Sequence, residues 1–313
     1  MAIPHTEPAG AGAMATAELA TAPAGGVLPA KPRSLFRRGW EVFAESKLAL
    51  TGLGFVIFIL LFCFVGPHIY VTQQVSTPLQ NAYCTPSAAH LLGCDNLGYD
   101  ILGRLMVGGQ NSLIVGLLAA AVACTFGAVY GAASGFIGGV IDAFMMRIVD
   151  AVLSIPYVLV LIILVVLIHP STFTLIGFIA ATYWPQPARL VRGETLTLRT
   201  REYVQAVKVS GGGRSRAMFR HIMPNAIGVI IVQGTFAVAD SILILSLLGF
   251  LGFGLAPPAT DWGSMLSDGL EYMTLGYWWL IYPAGLLIIM TCVSFNFIGD
   301  ALRDAFESRL HRR

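Results

Sequence analysis

The chain has 313 residues, 56% of them hydrophobic and only 12% charged, with a net charge of +2. That is too apolar for an ordinary soluble domain. No basic patch is interleaved with the aromatic residues that stacking on bases needs, which excludes nucleic acid as a partner.

Residues 1–33 are rich in Ala, Pro, Gly and Thr and lack the basic and apolar regions of a signal peptide, so a retained, disordered cytosolic tail is expected. Residues 34–47 change character. Phe36, Trp40 and Phe43 recur at helical spacing, with Arg37, Arg38, Glu41 and Glu45 on other faces and Ser34 placed to cap. This pattern predicts an amphipathic helix in the inner interface, with Trp40 at headgroup depth.

Six apolar runs then approach or exceed the roughly 20 residues needed to cross a bilayer as a helix. They are 48–65, 112–134, 149–168, 172–191, 226–251 and 277–298. Backbone polar groups in lipid must be satisfied within each segment, so the predicted fold is all-α and polytopic, with six transmembrane helices. The chain divides into the tail (1–33), the interfacial helix (34–47), a first transmembrane helix with its external loop (48–110), a five-helix core (111–300) and a second cytosolic tail (301–313). An inside N-terminus leaves every one of the nineteen Lys/Arg except Arg104 on the cytoplasmic side. Both termini are therefore predicted cytoplasmic.

Residues 66–110 form the longest external connection. Cys84 and Cys94 share this oxidising-side loop and can close a small ring, so a Cys84–Cys94 disulfide is expected. Cys63, Cys124 and Cys292 fall within apolar runs and read as packing residues. Gly127, Gly131, Gly135, Gly138 and Gly139 crowd the end of the second run, where small residues allow close helix approach or a hinge. Asp142, Arg147 and Asp150 read as an internal ion-pair cluster locking a short loop, not as a metal site. Tyr183, Trp184, Pro185 and Pro187 break the fourth run.

The stretch 200–225, TREYVQAVKVSGGGRSRAMFRHIMPN, is strongly basic yet lies between two apolar runs. It predicts a short amphipathic helix over Glu202–Val209, a break at 211–213 and a second short helix over 215–222, with Pro224 opening the next run. Such an element either only fixes topology or contacts a soluble partner. Asp240 is the one carboxylate well inside a run, and it marks a functional candidate that lines a pathway or makes a polar intramembrane contact.

The order Glu202, Tyr203, Val204, Ala206, Gly211, Arg220, His221, Ile222, Pro224 and Asn225 resembles the coupling loop of ABC-transporter permeases. The likeness is to the C-type subunit of the di-/oligopeptide and nickel branch. Gln205, Val207 and Gly213 stand where that family has Glu, Ala and Ser. Further fragments of the family pattern are present. They are Asp95, Gly98, Asp100 and Arg104; Asp142, Arg147, Asp150, Ser154 and Pro156; Trp184, Ala188, Arg189, Val191, Arg192 and Glu194; and the run LGFLGFGL with Pro257, Pro258, Trp262, Gly263, Met265 and Leu266. Asn296, Gly299, Asp300, Leu302, Arg303 and Asp304 close the likeness, which covers nearly the whole chain beyond the tail. The family's usual acid in the fifth span aligns with Leu245, not with Asp240.

The resemblance implies a type I ABC importer permease in a bacterial cytoplasmic membrane. Its partners would be a homologous second permease, two cytosolic ATPase subunits and an external solute-binding protein. It implies that Glu202, Tyr203, Gln205, Ala206, Val209 and Gly211 contact an ATPase, with Arg216, Arg220 and His221 bracing the loop and Pro224 opening the next helix. The Gly/Pro segment after the fifth span would serve as a docking rim or external gate. The chain has no G-x-x-x-x-G-K-[ST] loop, so it is not expected to be an enzyme or to carry a cofactor; ATP and Mg belong to the partner subunits. The implied cargo is a peptide; the same machinery importing nickel or another small solute is the alternative. A secondary transporter fits less well, because one intramembrane acid and no visible repeat are too little for it.

Overall fold

A computed structural model describes residues 43–74, 79–168, 171–210 and 213–307. The expected tail 1–33, residues 34–42 of the interfacial helix, Gly211 and residues 308–313 lie outside the described residues. Among the described residues every regular element is helical, apart from one isolated bridge between Cys94 and Asp100.

Helix α1 (Lys47–Phe64) starts at Ser46, whose hydroxyl accepts the Ala49 N–H at 3.3 Å. Its buried residues Ala49, Gly52, Val56, Ile59 and Cys63 recur every three or four positions and face the bundle, while Ile57, Phe58 and Leu61 are exposed. Helix α2 (Ile101–Ile137) is the central element. Asp100 caps it by accepting the Gly103 N–H at 2.9 Å, so it begins well before the expected residue 112. The last part of what the sequence reads as external loop is thus the first turns of a 37-residue helix. At about 1.5 Å per residue this is far longer than the ~30 Å of hydrocarbon.

Gly138 and Gly139, with φ of 71° and 64°, turn the chain out of α2 into α3 (Gly139–Ser154). The third expected span is not one straight rod. It is broken at Ile155–Pro156, and α3 meets α4 (Tyr157–Ile168) at 76°. Proline pushes the preceding residue out of the helical region, and Ile155 is extended. The fourth expected span runs as α5 (Thr172–Tyr183) and α6 (Pro185–Leu198), joined through Trp184, which keeps helical torsions where Pro185 contributes no N–H.

Helix α7 (Glu202–Val209) has the boundaries the sequence predicts. The second short helix does not stand apart. Helix α8 (Arg214–Ala217) passes through a widened π turn (Met218–Ile222) directly into α9 (Met223–Phe250). Pro224 cannot donate a backbone hydrogen bond, and Met223 bonds five residues back to the Met218 carbonyl; the wider turn accommodates the proline without ending the helix. After an irregular stretch come α10 (Trp262–Leu270) and α11 (Tyr282–Glu307).

Among the described residues, four helices are long and apolar enough to cross a membrane: Lys47–Phe64, Ile101–Ile137, Met218–Phe250 and Trp278–Phe306, with a fifth if the bent α3–α4 pair is counted as one span. The chain is a multi-pass helical membrane protein. Its core gathers Ile59, Leu105, Leu113, Leu161, Ile179, Ile242, Leu245 and Leu248 around the fully buried Trp262. The Trp262 indole N–H donates to the Leu105 carbonyl at 2.9 Å.

Candidate coupling face and polar cleft

Helix α6 lies directly on α2, and the small residues of α2 make this possible. A methyl group on Gly127 would meet the Trp184 carbonyl oxygen at 2.6 Å, and one on Gly135 the Arg192 carbonyl oxygen at 2.9 Å. On Gly131 it would overlap the Ala188 carbonyl oxygen. The glycine row is therefore a backbone-to-backbone seam between these two helices.

Charge locks the same seam. Both oxygens of Asp142 on α3 accept from Arg192 on α6, at 2.6 and 2.7 Å, and Ser134 on α2 donates to Oδ1 at 2.5 Å. Arg189 pairs with Asp150 at 2.6 Å, and the Arg199 guanidinium donates to the Gly135 carbonyl at 2.8 Å. The expected cluster of Asp142, Arg147 and Asp150 is corrected on this point. Both acids turn to α6, and Arg147 is not their partner, because α3 is amphipathic and sets its acids against the neighbouring helix. In the sequence Arg189 and Arg192 stand out only as parts of a pattern. A signal existed in the opposite charges of two basic-side segments, but pairing them required knowing that the segments touch.

The seam ends in the coupling stretch. Val204 of α7 is fully buried, while Glu202, Tyr203, Gln205, Ala206 and Val209 are exposed; Val209 is 89% exposed and Tyr203 41%. The Gln205 side chain donates to the Arg199 carbonyl at 2.9 Å, tying α7 to the end of α6. An ionised Glu could not make that bond, since it only accepts. Arg216 and Arg220 are exposed, and neither forms an ion pair among the described residues, so the expected bracing by these two is not seen there. His221 is half-buried, and its carbonyl accepts from Asn225 at 2.5 Å. Pro224 sits in the first turn of α9.

Asp240 lies on α9 and is half-buried. Tyr183, the last residue of α5, donates its hydroxyl to Asp240 Oδ2 at 2.8 Å and takes the Gln233 amide at 3.5 Å. Asp240 and Tyr183 open on a cleft of about 240 Å³ with Ile155, Tyr157, Gln186 and Leu243 among its walls. Leu245, where the family pattern has its acid, is instead fully buried in the core.

At the other end, Cys84 and Cys94 are joined as a disulfide, with Cα atoms 4.8 Å apart. Trp279 donates to the Cys94 carbonyl at 3.3 Å, and Tyr83 packs on Tyr272 and Tyr277. Burial pushes the Asp95 carboxyl above the ordinary carboxylate range, while Arg104, 3.4 Å away, and the backbone N–H groups of Tyr99, Leu97 and Gly98 pull it back. The irregular Gly/Pro stretch borders a cavity of about 600 Å³ that also touches Arg104 and Asp268.

Apolar helices around a polar cleft, with a small exposed helix carried on the basic end, define a membrane transport subunit. The chain belongs to the family described as binding-protein-dependent transport system inner membrane component, whose sequence profile matches residues 112–312. Residues 34–83 match the N-terminal transmembrane domain of oligopeptide transport permease C. Among similar proteins is the dipeptide transport system permease protein DppC of Bacillus subtilis (strain 168), 38% identical over 273 residues, covering 87% of this chain and 85% of the relative. The oligopeptide transport system permease protein OppC of the same organism is 39% identical over 282 residues, covering 90% and 92%. OppC of Haemophilus influenzae is 38% identical over 279 residues, covering 88% and 89%.

Proposed function

We propose that this chain is one permease of an ATP-driven importer that carries di- and oligopeptides across the bacterial cytoplasmic membrane. It pairs with a homologous permease, two cytosolic ATPases that bind ATP and Mg, and an external solute-binding protein; the chain itself is not an enzyme. In this reading six segments traverse the bilayer, with α3–α4 as a broken span, α5 and α6 as one run through Pro185, and both termini inside. Closure of the ATPases pushes on α7. The push reaches α2 through α6, because the Gly127–Gly135 row leaves little slack between them, and the Asp142–Arg192 fork, with Ser134 bonded to the same carboxylate, ties α3 into the joint. The helices then rock against the second permease, and each state must hold its ligands differently for the cycle to advance.

One observation carries this reading: an exposed helix at Glu202–Val209, fastened through Gln205 and Arg199 to the helix that packs on the centre of the bundle. The test is uptake of labelled di- and tripeptides by cells lacking their own copy of the transporter and supplied with the complete set of subunits. Val209→Asp is expected to abolish uptake and co-purification of the ATPase while leaving the amount of permease unaltered. Full uptake in that variant, or no peptide uptake by the native assembly, overturns the proposal.

A further inference from the structure

Building on the peptide-importer reading, we propose that the cleft around Asp240 is a subsite that seats an ammonium group of the passing cargo. At helical spacing Asp240 has Phe236, Leu243, Ile244 and Leu247 as neighbours, with Gln233 two turns earlier, so it is a carboxylate on a largely apolar helix face. Its Oδ2 accepts from Tyr183, which is in turn held by Gln233, so the carboxylate is oriented by a two-link chain. An ionised carboxylate has room for several donors, and one phenol does not fill it.

Among the described residues, the walls of the cleft contain no Lys, Arg or His. The cleft walls therefore supply no cation to Asp240, and a positively charged group entering the cleft meets no competing one. At about 240 Å³ the cleft is smaller than the roughly 300–1,000 Å³ of sites that enclose a whole drug-sized ligand. It suits the end of a cargo molecule and leaves the rest of that molecule uncommitted.

The backbone around it gives independent support. Ile155 and Tyr157, at the α3–α4 break, and Tyr183 and Gln186, beside the Trp184–Pro185 junction, all border this cleft. A helix broken at membrane depth is tolerated where it lines a cavity. The α3–α4 break and the acid converge on one place. An ammonium from a peptide N-terminus or from a lysyl side chain has the required charge and donors.

The experiment is equilibrium binding to the assembled permease–ATPase complex without its solute-binding protein, with and without a non-hydrolysable ATP analogue. The probes are trialanine, N-acetyl-trialanine and N-acetyl-Ala-Lys-Ala. Trialanine is expected to bind the native complex at least about tenfold more tightly than its acetylated form, the scale of one charge-assisted hydrogen bond. Asp240→Asn should erase that ratio, and Tyr183→Phe should reduce it. If only the lysyl peptide responds to Asp240→Asn, the ammonium comes from a side chain, and the subsite stands. Equal weakening of all three probes, no change in any, or no binding to the native complex in either nucleotide state overturns the proposal. Peptide uptake by the native assembly, measured alongside with its binding protein, separates the two readings. Uptake without any Asp240 dependence removes the subsite alone, and absence of peptide uptake removes the function it builds on.

Discussion

Replacing Arg192 with Ala is the most informative single perturbation of the seam. Asp142 is only 8% exposed and holds Arg192 by two bonds of 2.6 and 2.7 Å. Removing the guanidinium leaves that carboxylate with Ser134 alone. Breaking a fully buried pair costs about 3–5 kcal/mol, whereas exposed pairs are worth up to about 1 kcal/mol. The Arg192 side chain is 29% exposed, which places the cost near the bottom of the buried range, at about 3 kcal/mol. Arg192→Lys keeps the charge but loses the fork, at about 1 kcal/mol. The double variant Asp142→Leu with Arg192→Leu removes the stranded charge and should lie within about 1 kcal/mol of the native protein. Melting of the assembled transporter in detergent should therefore rank Arg192→Ala lowest, Arg192→Lys above it and the double variant close to native. Uptake should fall in the same order while ATP hydrolysis persists. A native melting temperature for Arg192→Ala, or a double variant less stable than both single changes, refutes the reasoning.

Gly131→Ala should destabilise the assembly by about 1–3 kcal/mol, since its methyl overlaps the Ala188 carbonyl and neither backbone can retreat; Gly193→Ala, with open space around it, should not. Gln205→Glu loses the donor to the Arg199 carbonyl, an exposed bond, and should cost under about 1 kcal/mol while lowering uptake per ATP hydrolysed. Reducing Cys84–Cys94 removes a short loop constraint worth about 2–3 kcal/mol, seen as a lower melting temperature; two free thiols by mass spectrometry of the native protein would cancel this expectation. The raised carboxyl of Asp95 makes the folded state bind its proton more tightly than the unfolded chain does. Its contribution to stability is thus full below the ordinary carboxylate value of about 4 and is lost as pH rises through the folded value. Asp95→Asn should flatten that fall, and Arg104→Gln, which removes the opposing cation, should extend it to higher pH. A pH profile unaltered by either change would contradict the assignment.

The outline of this protein was legible in its composition and periodicity. Apolar length fixed a helical membrane protein, and the residue order of 200–225 fixed the family likeness and the boundaries of Glu202–Val209. These features are local: a helix period, a run length and a spacing do not depend on what lies beside them. What packing decided is different in kind. Periodicity could not show that α2 begins at Ile101, because its first turns are held by an Asp100 cap and by Trp262, far away in sequence. Nor could it show that Asp142 and Asp150 turn from Arg147 to Arg192 and Arg189, or that Tyr183 meets Asp240 across two helices. Which charges pair, and which carboxylate faces a cleft while Leu245 is packed away, depends on helix rotation and crossing. Those are set by the glycine seam and the α3–α4 break acting together, and only the assembled bundle contains them.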